Sequence, residues 1–294
     1  MKVFYLAFGA AGESRVQDVS CASALKSAAI ALRVLLSIAV LITAPIAKAG
    51  MTIDVLPNLV GAGIGATTSY SGSDEYIGGI LPGLRYQFKD SNRFVEWYGP
   101  TADMNLLDSP TWQIGPALGL RFGRSNVKDE VVSKLPEVDT TVEGGIMAGW
   151  TMTNVRGIPW RLRLGVIAVT DLGHTYDGLN VSAFASLWLP LSRKVFLGLG
   201  GGASFGSASY NQTFYGVTAA GSAASGLPVF TPGSGLRQWY AWPAVIVQIA
   251  PQWYAGTGIF YQRIAGDPAD SPIVTQRGDR NQVTAGIGIG YVWR

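Results

Sequence analysis

The stretch Val283-Thr284-Ala285-Gly286-Ile287-Gly288-Ile289-Gly290-Tyr291-Val292-Trp293 carries an apolar or aromatic side chain at every second position, from Val283 to Trp293. Threonine, three glycines and Val292 fill the places between. A period of two sends alternate side chains to opposite faces of a strand. One face is therefore greasy and ends in two aromatics, while the other is small. This is the pattern of a barrel strand in a bilayer, whose outer face meets hydrocarbon and whose aromatics sit at the water boundary.

Upstream, the alternation recurs. Ile80, Leu84, Tyr86 and Phe88 oppose Gly83, Arg85 and Gln87; Leu118, Leu120 and Phe122 oppose Gly119, Arg121 and Gly123. Val142, Ile146 and Trp150 oppose Glu143 and Gly145, and Trp160, Leu162 and Leu164 oppose Arg161, Arg163 and Gly165. Further runs begin near Val181, Val195, Trp239 and Trp253. Each is of the length, ~9–11 residues, that a tilted membrane strand needs. The charges Arg85, Arg121, Glu143, Arg161 and Arg163 all fall on the face away from the large apolar groups, which places them in a lumen. A soluble sandwich also alternates, but its polar face looks at water; aromatics at strand ends (Trp160, Trp253, Tyr291, Trp293) favour the membrane barrel.

Eight such segments follow Thr111 and three precede it. Bacterial single-chain barrels have even strand numbers, so residues 51–110 must hold two or four. Four suits their length. The expected fold is an all-β, antiparallel up-and-down transmembrane barrel of about 12 strands, with 10 the alternative. Short breaks fall at 89–92, 109–110, 154–157, 190–193 and 250–251, and long ones at 124–138, 207–235 and 265–281.

Composition agrees. Only 14% of the 294 residues are charged, and glycine accounts for 38. Residues 1–49 hold five of the basic and two of the acidic side chains, so the remainder carries 17 of each. No basic stripe is left to hold a phosphate backbone, which excludes nucleic acid as a partner. The single cysteine, Cys21, lies in the same leading stretch. Lys26 and Arg33 precede an apolar run from Val34 to Ile46, and Ala47-Lys48-Ala49 follows it. A positive region, an apolar stretch and a small-x-small site make a secretory signal. Residues 1–49 are expected to be cleaved after Ala49, leaving 50–294 as one barrel domain.

Glycine runs at Gly61, Gly63 and Gly65, at Gly198, Gly200, Gly201 and Gly202, and at Gly286, Gly288 and Gly290 lack the following helix that a phosphate loop needs. They read as lumen-facing packing positions. His174 is the only histidine and sits in a turn-like segment with Asp171 and Asp177. No pattern marks a serine partner, and no His, Cys or carboxylate cluster has metal-site spacing. The loop 207–235 reads as a plug, a binding surface or a mobile external loop.

Four signatures stand in order along the chain: Tyr70-Ser71-Gly72-Ser73-Asp74; Gly115-Pro116 leading to Arg121-Phe122-Gly123-Arg124; Phe214-Tyr215-Gly216-Val217; and Gly266-Asp267-Pro268-Ala269-Asp270-Ser271-Pro272-Ile273-Val274. Together they resemble the MipA/OmpV family of MltA-interacting outer-membrane proteins. The resemblance implies a non-enzymatic barrel in the outer membrane of a Gram-negative bacterium. It also implies a scaffold that brings a lytic transglycosylase and a peptidoglycan synthase together, with membrane lipid as the other partner. It implies no cofactor, metal or catalytic residue. Two other readings follow from the residues alone: a small-solute channel whose lumen arginines favour anions, and a hydrolase centred on His174.

Overall fold

Glycine faces glycine where the sheet meets itself. The computed structural model describes residues 56–293, Asn126 excepted; the leader and its cleavage site lie outside the described residues. The first strand, β1 (Asn58–Thr68), runs antiparallel to the last, β12 (Asn281–Trp293), with Gly61 opposite Gly290, Gly63 opposite Gly288 and Gly65 opposite Gly286. A Cβ on Gly61, Gly63 or Gly65 would stand 2.6 Å from a carbonyl oxygen of β12. The closing strands therefore approach as only bare backbone permits. Between the glycines, Ile64 and Ile287 point outward and are 63% and 61% exposed.

The other strands follow in chain order: β2 (Tyr76–Gln87), β3 (Phe94–Tyr98), β4 (Thr101–Asn105), β5 (Trp112–Arg121), β6 (Thr141–Asn154), β7 (Trp160–Asp171), β8 (Leu179–Pro190), β9 (Val195–Gly206), β10 (Gly235–Ala250) and β11 (Trp253–Ile264). Each pairs antiparallel with its neighbours in sequence, and β1 with β12 completes a closed barrel of twelve strands. Closure leaves no free lateral row of backbone groups at the seam, which hydrocarbon could not satisfy.

Amphipathy is inverted relative to a soluble protein. Large apolar side chains are exposed on the outside, while Arg85, Glu96, Glu143, Ser204 and Gln282 are buried. Lipid is the solvent such an outer face requires, so the barrel spans a membrane. Ring pairs mark two levels of its outer face: Trp239 with Tyr261 at 5.3 Å, and Trp253 with Tyr291 at 5.3 Å, extended by Trp293.

The alternating connections separate into two ends. Segments 88–93, 106–111, 155–159, 191–194 and 251–252 are short and form the turn end. Segments 69–75, 122–140, 172–178, 207–234 and 265–280 form the opposite, loop end. The hairpin of β3 and β4, joined by Gly99 (φ 56°) and Pro100, is short. It pairs with β2 only between Gly83 and Gln87, and among the described residues the exposed stretch 76–81 of β2 has no strand partner on that side.

Inside, glycines serve as floors for aromatics. In register, Trp188 lies opposite Gly198, Trp242 opposite Gly200 and Tyr240 opposite Gly202. A Cβ on any of these glycines would strike the ring or hydroxyl lying over it. The ring or hydroxyl of each aromatic thus lies over bare glycine backbone of β9.

Candidate functional site: a loop cap and a charged lumen

The loop end is folded, with a core of its own. Segment 207–235 forms α1 (Ala208–Tyr215) and α2 (Ala219–Ser225), rather than a mobile loop. The Ser207 and Thr218 hydroxyls accept the amides of Tyr210 and Gly221, each satisfying a free donor of a first turn. Gly226, at φ 80°, closes α2. Tyr210, Phe214 and Tyr215 of α1 pack on Tyr176, Ile264, Ala269 and Val274 from three other segments. A second cluster joins Tyr70, Val132, Leu135, Val217, Leu227 and Ile273.

Nearly all the signature residues meet in this cap. The hydroxyl of buried Tyr215 lies 2.6 Å from Ser71 Oγ, and its carbonyl accepts Ser271 Oγ at 2.6 Å. Gly72 takes φ 99°, and its carbonyl accepts the Asp279 amide at 3.0 Å. A side chain at Gly278 would collide with that same carbonyl. Ser73, itself buried, presents its carbonyl to Gln282 Nε2 at 3.2 Å and its hydroxyl to the Glu75 amide. Asp74 follows on the same loop. Arg124 donates to the carbonyls of Phe214 at 3.1 Å and Pro136 at 3.4 Å. Gly123 admits the backbone of Val138 and Asp139. Gly216 caps α1, and Val217 exchanges two 2.9 Å hydrogen bonds with Phe230. Gly266 (φ 57°) passes against Leu236, Asp267 accepts the Gly233 amide at 2.9 Å, and Asp270 pairs with Arg280 at 2.9 Å. Ser271 and Pro272 open α3 (Pro272–Thr275).

Gly115 and Pro116 stand apart, on β5. The β4–β5 pairing stops at Asp103–Ala117, one residue short of Pro116, which has no amide to donate. A side chain at Gly115 would strike the carbonyl of Met104, so β4 passes close over bare backbone there.

Two charge assemblies occupy the lumen. Near the cap, Arg121 makes a bidentate pair with Glu143, both bonds at 3.0 Å, and Tyr176 donates to the same carboxylate at 2.7 Å. Tyr210 lies between two guanidinium groups, 5.7 Å from Arg121 and 5.2 Å from Arg237. Nearer the turn end, Arg85, Glu96 and Asp103 form a direct cross-strand row on β2, β3 and β4. Arg85 pairs with Glu96, and Arg163 reaches across from β7 to Glu96 at 3.1 Å and Asp103 at 3.2 Å. Arg161 lines the same space. The lumen is therefore mixed in charge rather than lined by arginine alone. Glu96 and Asp103 escape the sequence reading because their strands are only five residues long.

Outside the wall, burial alone would raise the Asp129 carboxyl, but the Arg277 guanidinium and the amides of Val131 and Val132 more than offset it and hold the group below the usual carboxylate range. Burial pushes the Tyr70 phenol up to about 12. His174 is exposed, with φ 57°, in the β7–β8 connection. Among the described residues it makes no hydrogen bond, and no metal-holding cluster occurs.

A family model described as MltA-interacting protein MipA matches residues 60–293, almost the whole barrel. No curated protein matches the chain. Among solved structures, an outer membrane channel from Pseudomonas putida F1 is 11% identical with a TM-score of 0.47, over 85% of this chain and 100% of that one. The translocator domain of autotransporter NalP from Neisseria meningitidis is 13% identical with a TM-score of 0.37, over 92% and 98%. With likeness this slight, the barrel rests on the chain's own strand pairing.

Proposed function

The chain belongs to the MipA family, and from that premise we propose that it is a non-enzymatic outer-membrane scaffold that docks murein-remodelling enzymes, a lytic transglycosylase and a peptidoglycan synthase. The family match along the whole barrel carries this reading. Two features of the molecule support it. The signature residues build a packed cap, with no nucleophile–base pair among them. The turn end, which this reading places in the periplasm after export, presents exposed Val155, Ile158 and Leu191, and among the exposed charges of its turns Lys89, Arg93, Arg156 and Arg193 outnumber Asp90 and Asp108. Apolar groups with an excess of cations suit a partner of acidic surface.

The test is a pull-down from detergent-solubilised membranes with the full-length protein as bait. Both enzymes are expected, and the double variant Arg156→Glu/Arg193→Glu should recover less of each. Recovery of neither enzyme by the unaltered protein overturns the reading. The second reading, a small-solute channel, is favoured by the lumen cavity alone, while the cap speaks against it. Conductance in planar bilayers separates the two.

A further inference from the structure

The turn-end half of the lumen holds a cavity of about 590 Å³, a size typical of sites for small organic ligands. Its two sides differ in chemistry. One side is the charge row of Arg85, Glu96, Asp103 and Arg163; the other is aromatic, with Phe184, Trp188, Tyr240 and Trp242. The last three rest on the β9 glycines and line the cavity.

Charge does not balance in this space. Among the described residues, three guanidinium groups, those of Arg85, Arg161 and Arg163, face two carboxylates. The carboxylates are already engaged, Glu96 by Arg85 and Arg163 and Asp103 by Arg163. Arg161 makes no hydrogen bond or ion pair among the described residues. It sits opposite Trp188 in the β7–β8 register, at the border between the charged and aromatic sides. In addition, the Nε atoms of Arg85 and Arg163 and Oε1 of Gln113, all on lining residues, have no hydrogen-bond partner among the described residues. Arg161 is partly buried, and there an uncompensated guanidinium attracts an anion more strongly than one at an open surface.

We propose that this cavity binds an amphipathic organic monoanion, its carboxylate on Arg161 and its apolar body against Phe184, Trp188 and Trp242. The ligand enters from the turn end, where Leu56, Pro57 and Val292 border the cavity. The site does not depend on the scaffold reading, because binding is measured on the isolated barrel.

Calorimetric titration of 2-naphthoate into the full-length protein in nanodiscs, with empty nanodiscs subtracted, tests it. Saturable binding is expected. Arg161→Gln should weaken it at least tenfold while keeping the heat-dependent gel shift of a folded barrel, since Arg161 holds no bond among the described residues. Ser186→Trp, which fills the cavity without altering a charge, should abolish it. Lys134→Gln, on the exposed cap, should change nothing. Neutral 2-naphthylmethanol should bind weakly, and equally to the unaltered protein and Arg161→Gln. Octanoate in a parallel titration tells a lipid-derived anion from a soluble aromatic one. The proposal fails if neither anion binds, or if Arg161→Gln binds 2-naphthoate as tightly as the unaltered protein.

Discussion

A few side chains decide whether loops become a cap. Tyr215 is one: it is fully buried, its hydroxyl meets Ser71 and its carbonyl meets Ser271. Tyr215→Phe removes one hydrogen bond without opening a cavity, so a loss of about 0.5–1.5 kcal/mol is expected in the cap. Faster exchange of the hydrogen-bonded amides of Ser73 and Asp279, with exchange in the strands unchanged, is the measurement. Asp129 is another, because its carboxylate holds Arg277 at 3.0 Å and two loop amides. Its folded pKa is depressed, so this stabilisation is complete above the unfolded value of about 3.9 and is lost as pH falls through the lower folded one. The pair is partly exposed, so the effect is at most about 1 kcal/mol. Exchange at Val131 and Val132, corrected for intrinsic rate, should quicken below about pH 4, and Asp129→Asn should show the same loosening at neutral pH. Glu96 differs, since it is buried and answers two arginines. Glu96→Ala leaves Arg85 without its ion-pair partner, and about 3–5 kcal/mol of barrel stability should go. A denaturant titration in lipid vesicles reads that loss; an unchanged midpoint would mean the row is not a structural element.

Elements show where the sequence is legible. The eight strands after Thr111 are long, uninterrupted and alternate cleanly, so periodicity alone places them near their observed bounds. The β3–β4 hairpin is not visible in this way: five-residue strands around Gly99-Pro100 offer too few repeats to separate alternation from a loop. Only the evenness of strand number points to it, and Glu96 and Asp103 are missed along with it. Segment 207–235 is legible as a loop, but its helices are not, because most of their hydrophobic partners come from distant loops. Ser207 and Thr218 were the local signal, each a residue type that caps a helix start. The family signatures could be read as positions without any hint that three of the four converge on one packed core. If α1 is the plug its contacts describe, replacing residues 208–226 with a short Gly-Ser turn should leave a folded, heat-modifiable barrel. It should also raise single-channel conductance well above that of the intact protein. A truncated barrel that conducts no better would place the constriction elsewhere, at the Arg163 bridge.

At the scale of the molecule, the outer surface must match its solvent. Ile64 stands opposite Ile80 on β2 and Ile287 on β12, an aliphatic row across three strands far from either ring level. Trp253 and Tyr291 mark a boundary level near the turn end. Hydrocarbon cannot solvate a guanidinium, whereas the headgroup layer can, so the cost of a lipid-facing charge should follow depth. Ile287→Arg, in the middle of the belt, should destabilise the barrel in vesicles by about 2–4 kcal/mol. Trp253→Arg, at the boundary, should cost about 0–1 kcal/mol from depth, plus whatever ring packing on Tyr291 is lost. In a soluble sandwich both positions would face water, and the two substitutions would cost similar small amounts. The difference between them, measured as denaturation midpoints in the same vesicles, thus reports the solvent directly. A gap near zero would remove the membrane from the account, and with it the reason for an inverted amphipathy, a closed seam and charges buried in the lumen.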